Sequence, residues 1–142
     1  MAVRFHFHNV RRLRGLNKLK SFIPVLFSKE RKRPGDLNVV VCDDEYLLDI
    51  NKRFLNHDYY TDIITFDMGD HESNVVSGEI YISIDRVKEN ALLHSVEVSL
   101  EFERVLFHGA LHLCGYKDKS KYDSALMRKK ENYYLKLFHV EQ

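Results

Sequence analysis

Val3, Phe5 and Phe7 alternate with Arg4, His6 and His8, the period-two pattern of a half-buried strand whose histidines face away from its aromatic side. Leu13, Leu16, Leu19, Ile23 and Leu26 then recur at helical spacing, and Pro24 is expected to kink or end that helix. Residues 31–35 read as a basic loop and 37–42 as a buried strand. Asp43 or Asp44 is expected to cap a helix whose inner face is Leu47, Ile50 and Phe54, with 56–60 ending it. The strand-like runs 61–66 and 78–84, separated by a polar turn over 69–77, predict a hairpin. Asp85 suits the cap of a short helix containing Val87 and Ala91, and a longer helix over about 96–113 should stop at Gly115. Packing of the long helix on the sheet is expected through Val98, Phe102, Val105 and Leu106. In a terminal helix over 121–138, Leu126, Tyr133, Tyr134 and Leu137 fall near one stripe. The order β-α-β-α-β-β-α-α-α predicts a single α+β domain over residues 1–142, a mixed sheet of about four strands with helices packed on it.

At 142 residues the chain can bury one core without disulfides. Cys42 and Cys114 are too few for a disulfide framework, match no paired zinc-cysteine spacing, and read as buried free thiols. No apolar run approaches the roughly 20 residues of a bilayer span, and the first ten residues alternate instead of following a leader pattern. A cytoplasmic protein with no membrane partner is therefore expected. The net charge of +1 is unevenly spread: residues 1–36 hold ten Lys and Arg against two acids, the remainder twelve against nineteen. Arg11, Arg12 and Arg14 in that basic third are candidates to contact phosphate, although the same pattern describes a solvated helix face and loop.

Candidate chemistry concentrates in His108, His112, Gly115 and Asp118, at offsets 0, 4, 7 and 10. Residues four apart on a helix have Cβ atoms roughly 5–6 Å apart, so two imidazoles can meet one ion at about 2.0–2.1 Å. Gly115 lets the chain reverse so that Asp118 can supply a third ligand. Three protein ligands suit a catalytic zinc with a fourth position for water, whose pKa falls from about 15.7 toward about 7. Asp123 is a weaker rival for the third position, and Cys114 faces away from His112 on a helix. The bland alternative is two half-buried helix histidines beside a charged loop. Metallopeptidases share these offsets but carry Glu directly after the first His, where this chain has Gly109. A two-His, one-carboxylate iron site is also compatible with the ligands alone.

The stretch His108-Gly109-Ala110-Leu111-His112-Leu113-Cys114-Gly115-Tyr116-Lys117-Asp118 resembles the signature His-Gly-x-Leu-His-Leu-x-Gly-Tyr-Asp-His of the YbeY family of bacterial endoribonucleases. Thr61-Asp62-Ile63-Ile64-Thr65-Phe66 is similar to that family's Thr-Asp-Val-Leu-Ser-Phe, and Gly78-Glu79-Ile80 to its Gly-Asp-Ile; the similarity runs over about 38–135. The resemblance implies a cytoplasmic, metal-dependent RNase selective for single-stranded RNA, not DNA. Its expected roles are ribosomal RNA processing, with 16S rRNA 3′ end maturation, and ribosome quality control, and its expected cofactor is one divalent ion, zinc. His108 and His112 carry over as ligands, whereas Asp118 stands where the family has His. Leu55 stands where the family has an Arg, a phosphate clamp by its chemistry; Arg53 or a residue of the basic amino-terminal third is the candidate to replace it, and Tyr60 replaces a proline. A metallopeptidase and a non-catalytic ribosome-associated metal-binding module are the alternatives. Attack by hydroxide and attack by the substrate's 2′-hydroxyl both remain open.

Overall fold

The computed structural model describes residues 2–141. Its elements are β1 (Val3–His8), α1 (Asn17–Lys29), β2 (Arg33–Cys42), α2 (Asp44–Leu55), β3 (Ile63–Asp67), β4 (Val75–Ser83), α3 (Ile84–His94), α4 (Val98–Leu113) and α5 (Lys121–Glu141). The expected α+β class and element order hold. The four strands lie in the order β1-β2-β4-β3, with β1, β2 and β4 parallel and β3 antiparallel to β4.

Alternation along the strands divides the core between the two faces of the sheet. Leu37, Val39 and Val41 of β2 and Val76, Ile80 and Ile82 of β4 join one buried cluster with α1, α4 and α5. On the opposite face Val40, Ile64, Phe66 and Tyr81 meet Leu47 and Ile50 of α2. Asp43 caps α2 as expected, its Oδ1 accepting from the Tyr46 N–H at 2.9 Å.

Several boundaries differ from the sequence expectation. The α1 helix runs five residues past Pro24, because burial of Phe22, Ile23, Leu26 and Phe27 outweighs one missing backbone bond. Residues 33–35 belong to β2, where Arg33 and Pro34 pair with Val75 and Val76; the ladder is irregular between Pro34 and Leu37, a place where a strand accepts proline. This pairing also starts β4 at Val75, inside the expected turn. On α2 Asn51 joins Leu47 and Ile50 as a buried position, while Phe54 is 63% exposed. Ser83, not Asp85, caps α3, and Asp85 instead accepts from the Asp44 N–H at 2.8 Å.

Helix α4 packs through Phe102, Val105 and Leu106, but Val98 sits exposed at its first turn. The buried stripe of α5 is Met127, Glu131, Tyr134, Leu135 and Phe138, and Tyr133 projects outward. Cys42 is buried and Cys114 only half-buried.

Gly78 is where the β3–β4 hairpin has no room to spare. A Cβ there would stand 2.3 Å from the Phe66 carbonyl oxygen, a backbone atom that cannot swing aside. Gly78→Ala should destabilise the protein by about 1–3 kcal/mol, read as a lowered midpoint in thermal denaturation; an unchanged midpoint would show that the hairpin adapts freely.

Candidate metal centre

Helix α4 is buried on nearly all sides, so its polar residues are conspicuous. Phe107, Ala110 and Leu111 are fully buried, whereas His108 and His112 lie half-buried along one edge, about 40° apart round the axis. The helix ends in a Schellman arrangement: the Gly115 N–H donates to the His112 carbonyl at 2.9 Å and the Tyr116 N–H to the Leu111 carbonyl at 3.1 Å. Gly115 has φ +108°, and a Cβ there would meet nothing within 4 Å. Backbone conformation, not space, is what requires glycine at this turn. Beyond it, the Asp118 carbonyl accepts from the Ser124 hydroxyl at 3.0 Å, which ties the loop to α5.

The reversal brings Asp118 back over the histidines. Its Oδ2 lies 3.2 Å from His108 Nε2 and 3.4 Å from His112 Nε2. Among the described residues this is the group whose ligand atoms, all within 4.8 Å of one another, could hold a metal ion. Ligands about 2.0–2.1 Å from a tetrahedral ion stand about 3.3–3.4 Å apart, so these two separations fit.

Both Nδ1 atoms are engaged elsewhere. His112 Nδ1 lies 2.8 Å from the Tyr116 carbonyl, an acceptor only, so this nitrogen carries the hydrogen and donates it. His108 Nδ1 donates to Glu131 Oε2 at 2.6 Å. In the neutral imidazoles Nε2 is then an acceptor, and two such nitrogens face a carboxylate oxygen. That convergence is repulsive until a cation, proton or metal, sits between them.

Glu131 is the residue that sequence reasoning missed. It is buried, and its Oε1 accepts from Arg104 Nη1 at 3.0 Å while Arg104 Nη2 donates to Asn132 at 2.8 Å. Burial alone would raise its pKa, but the hydrogen bonds and charges of His108 and Arg104 prevail and hold it below the ordinary range. His108 shows the converse: burial disfavours its charged form, yet Glu131, Asp118 and Asp62 raise its pKa. An acid in the stripe Met127, Glu131, Tyr134 and Phe138 was the available signal, since an apolar helix face admits a carboxylate only with partners. A second unanticipated group is Glu30 of the α1–β2 turn, which accepts from the Tyr116 hydroxyl at 2.6 Å, from Lys130 at 3.2 Å and from the Tyr134 hydroxyl.

Two cavities flank the triad. One of about 440 Å³ reaches His108 and Asp118 between α3, α4 and α5 and is lined by Asp62, Glu101, Arg104, Arg128 and Glu131 among others. The other, about 350 Å³, reaches all three candidate ligands along β3 and the α2–β3 loop. Asp62 lines both, and burial raises its pKa above the usual carboxylate value. Neither cavity contains Arg11, Arg12, Arg14 or Arg53. The first three are exposed beyond β1, at the sheet edge opposite β3, with Arg12 5.6 Å from the Phe7 ring centroid. Arg53 pairs with Asp49 at 3.1 Å. Asp123 is not part of the converging group.

A family model described as Endoribonuclease YbeY matches residues 9–139. The chain is 50% identical over 124 residues to an endoribonuclease YbeY of Flavobacterium psychrophilum, covering 86% of each chain. It is 47% identical over 125 residues to one of Cytophaga hutchinsonii, covering 88% of this chain and 87% of the relative. A protein of Thermotoga maritima with a solution structure has the same fold at a TM-score of 0.67 and 26% identity, covering 96% of this chain and 90% of its own.

Protons and a metal ion would compete for His108 Nε2. Because His108 keeps its proton more tightly than an ordinary imidazole, zinc affinity should begin to fall above about pH 6.5 as acidity rises. Glu131→Gln should shift that midpoint downward and weaken affinity at neutral pH by about 10–100-fold. Zinc titrations against a competing chelator across this range test both effects, with circular dichroism confirming the fold. An unshifted midpoint and affinity would leave Glu131 no role at the centre.

Proposed function

The chain belongs to the YbeY family of endoribonucleases, and from that premise we propose that it hydrolyses phosphodiester bonds in single-stranded RNA with one zinc ion held by His108, His112 and Asp118. We place its work in the cytoplasm, in ribosomal RNA processing that includes 16S rRNA 3′ end maturation and in ribosome quality control. The observation that carries the reading is the convergence of two imidazole nitrogens and a carboxylate oxygen within 4.8 Å beside two open cavities. Bound there, the ion would supply Lewis acidity and a water made acidic enough to deprotonate near neutral pH.

The chain's own groups prepare that chemistry. Glu131 and the Tyr116 carbonyl hold the two rings through Nδ1 and leave each Nε2 directed at the centre. Asp62, with its raised pKa and a 3.3 Å hydrogen bond from Asn90, is suited to hold a proton and deliver it to the leaving oxygen. Arg128 stands exposed on the cavity rim with its Nε 3.9 Å from Glu131, a long pairing that leaves the guanidinium able to meet a phosphate, while Arg104 is committed to Glu131 and Asn132. Arg11, Arg12 and Arg14 would meet the RNA backbone away from the scissile bond, and Arg53 would meet it beside the α2–β3 loop. Gly109 stands where a peptidase would carry its base, and a side chain there would have to displace Ile63 Cδ1, 2.7 Å from a Cβ at that position, and Ile80, 3.2 Å from it, at the sheet interface.

The zinc-loaded protein should cleave single-stranded RNA, and chelation or Asp118→Ala should abolish cleavage together with zinc binding. Retention of zinc without turnover would favour a non-catalytic binding module. Asp62→Asn should keep the metal and lower kcat by about 10²–10⁴-fold; equal rates would remove Asp62 from the reaction. Product ends distinguish internal attack, which leaves a 2′,3′-cyclic phosphate, from direct hydrolysis. Neutralising Arg11, Arg12 and Arg14 together should reduce the salt slope of RNA binding by about one unit per lost contact, and an unchanged slope would make them an ordinary solvated face.

A further inference from the structure

The cavity along β3 has an aromatic wall that the hydrolytic centre does not use. In the loop between α2 and β3, His57 and Tyr59 stack at 5.1 Å between centroids with ring planes 20° apart, and Tyr59 Oη lies 2.9 Å from His57 Nδ1. Tyr59 is 54% exposed, yet its backbone is anchored from below. Asn51, only 1% exposed, donates its side-chain N–H to the Tyr59 carbonyl at 2.9 Å, and its backbone carbonyl accepts from the His57 N–H at 3.1 Å. Asn56, with φ 56°, makes the left-handed turn that this tether requires. The neighbouring rings are occupied: Phe54 packs edge-on against Phe66, and Tyr60 lies under the Arg86 guanidinium at 4.9 Å with its hydroxyl on Glu45.

A buried amide is spent on tethering the backbone beneath an exposed aromatic pair, and both residues line the cavity that contains His108, His112 and Asp118. Among the described residues no Lys or Arg lines that cavity, so a phosphate finds little direct attraction there, whereas a nucleobase can stack on an aromatic ring. We infer that the His57–Tyr59 pair is a stacking platform for an unpaired nucleobase beside the candidate metal centre. A base inside a duplex already has both faces covered, so only single-stranded RNA can present one to the platform. The substrate class rests on the RNA-hydrolase reading; the platform rests on the loop geometry.

The test uses ligands with no internal phosphodiester to cut. Adenosine monophosphate, titrated into the zinc-loaded protein and followed by NMR, should move the Tyr59 and His57 ring resonances upfield, while ribose 5-phosphate should not. Tyr59→Leu should weaken adenosine monophosphate binding by about 5- to 150-fold and raise KM for single-stranded RNA, with zinc content unchanged. Tyr59→Trp should restore both. Equal shifts with ribose 5-phosphate, or a Tyr59→Leu variant that binds the nucleotide as the parent does, would overturn the platform. If that variant cleaves RNA with the parental KM, the platform falls and the hydrolase stands. If the parent cleaves no RNA yet shows the base-specific shifts, the hydrolase reading falls and the stacking site stands.

Discussion

At Gly109 the central helix comes so near the sheet that any side chain would strike Ile63 and Ile80. That close approach sets the rotation of α4. With position 109 against the sheet, Phe102, Leu106 and Leu113 bury beside it, Phe107 and Leu111 bury in the same core toward other elements, and His108 and His112 fall on the margin next to β3. A helix rotated by a third of a turn would sink the histidines into the apolar core or carry them into solvent. Fixing an apolar helix on a sheet is the work of hydrophobic burial, and here it also decides where two imidazoles point.

The end of the same helix completes the arrangement. A Schellman termination satisfies carbonyls that would otherwise be orphaned, and it also presents the Tyr116 carbonyl to His112 and returns the chain toward Asp118. Glu30 accepts from the Tyr116 hydroxyl, linking the α1–β2 turn to the backbone that orients His112. On the other side Glu131 links α5 to His108. Each ring is therefore held by a different part of the fold, and small changes in helix packing would be felt in the separation of the two Nε2 atoms.

These relationships explain which features the sequence reveals. The elements of the described residues, their order and the converging trio follow from local periodicity and from offsets within eleven residues. Glu131 stands 23 residues after His108, and no local spacing couples the two. Pro24 and Pro34 mislead for a related reason: proline's intrinsic cost is local, whereas the buried α1 stripe and the β2–β4 ladder that override it are tertiary. Phe54 has the period of an inner position but is displaced by Asn51, whose amide anchors a loop that lies beyond the helix. Hydrophobicity patterns locate surfaces; they do not report which polar group a neighbouring segment will need.

Charge supplies the remaining constraint. The larger cavity is lined by four carboxylates, Asp62, Glu101, Asp118 and Glu131, against two guanidiniums, Arg104 and Arg128. Even with Asp62 holding its proton, three carboxylates face two guanidiniums, a balance that disfavours a phosphate. A divalent cation at the triad would cancel that excess, so metal affinity and affinity for a polyanion should be thermodynamically linked, each strengthening the other. The cavity along β3, by contrast, has among the described residues only Asp62 and Asp118 as acids, and an aromatic pair as a wall. A strand of RNA laid across both would thus be held on one side by electrostatics that require the ion and on the other by stacking that does not. Such a division would let the base-binding side retain a substrate while the charged side is completed, and it would give the tether from the buried Asn51 amide to the Tyr59 backbone a use.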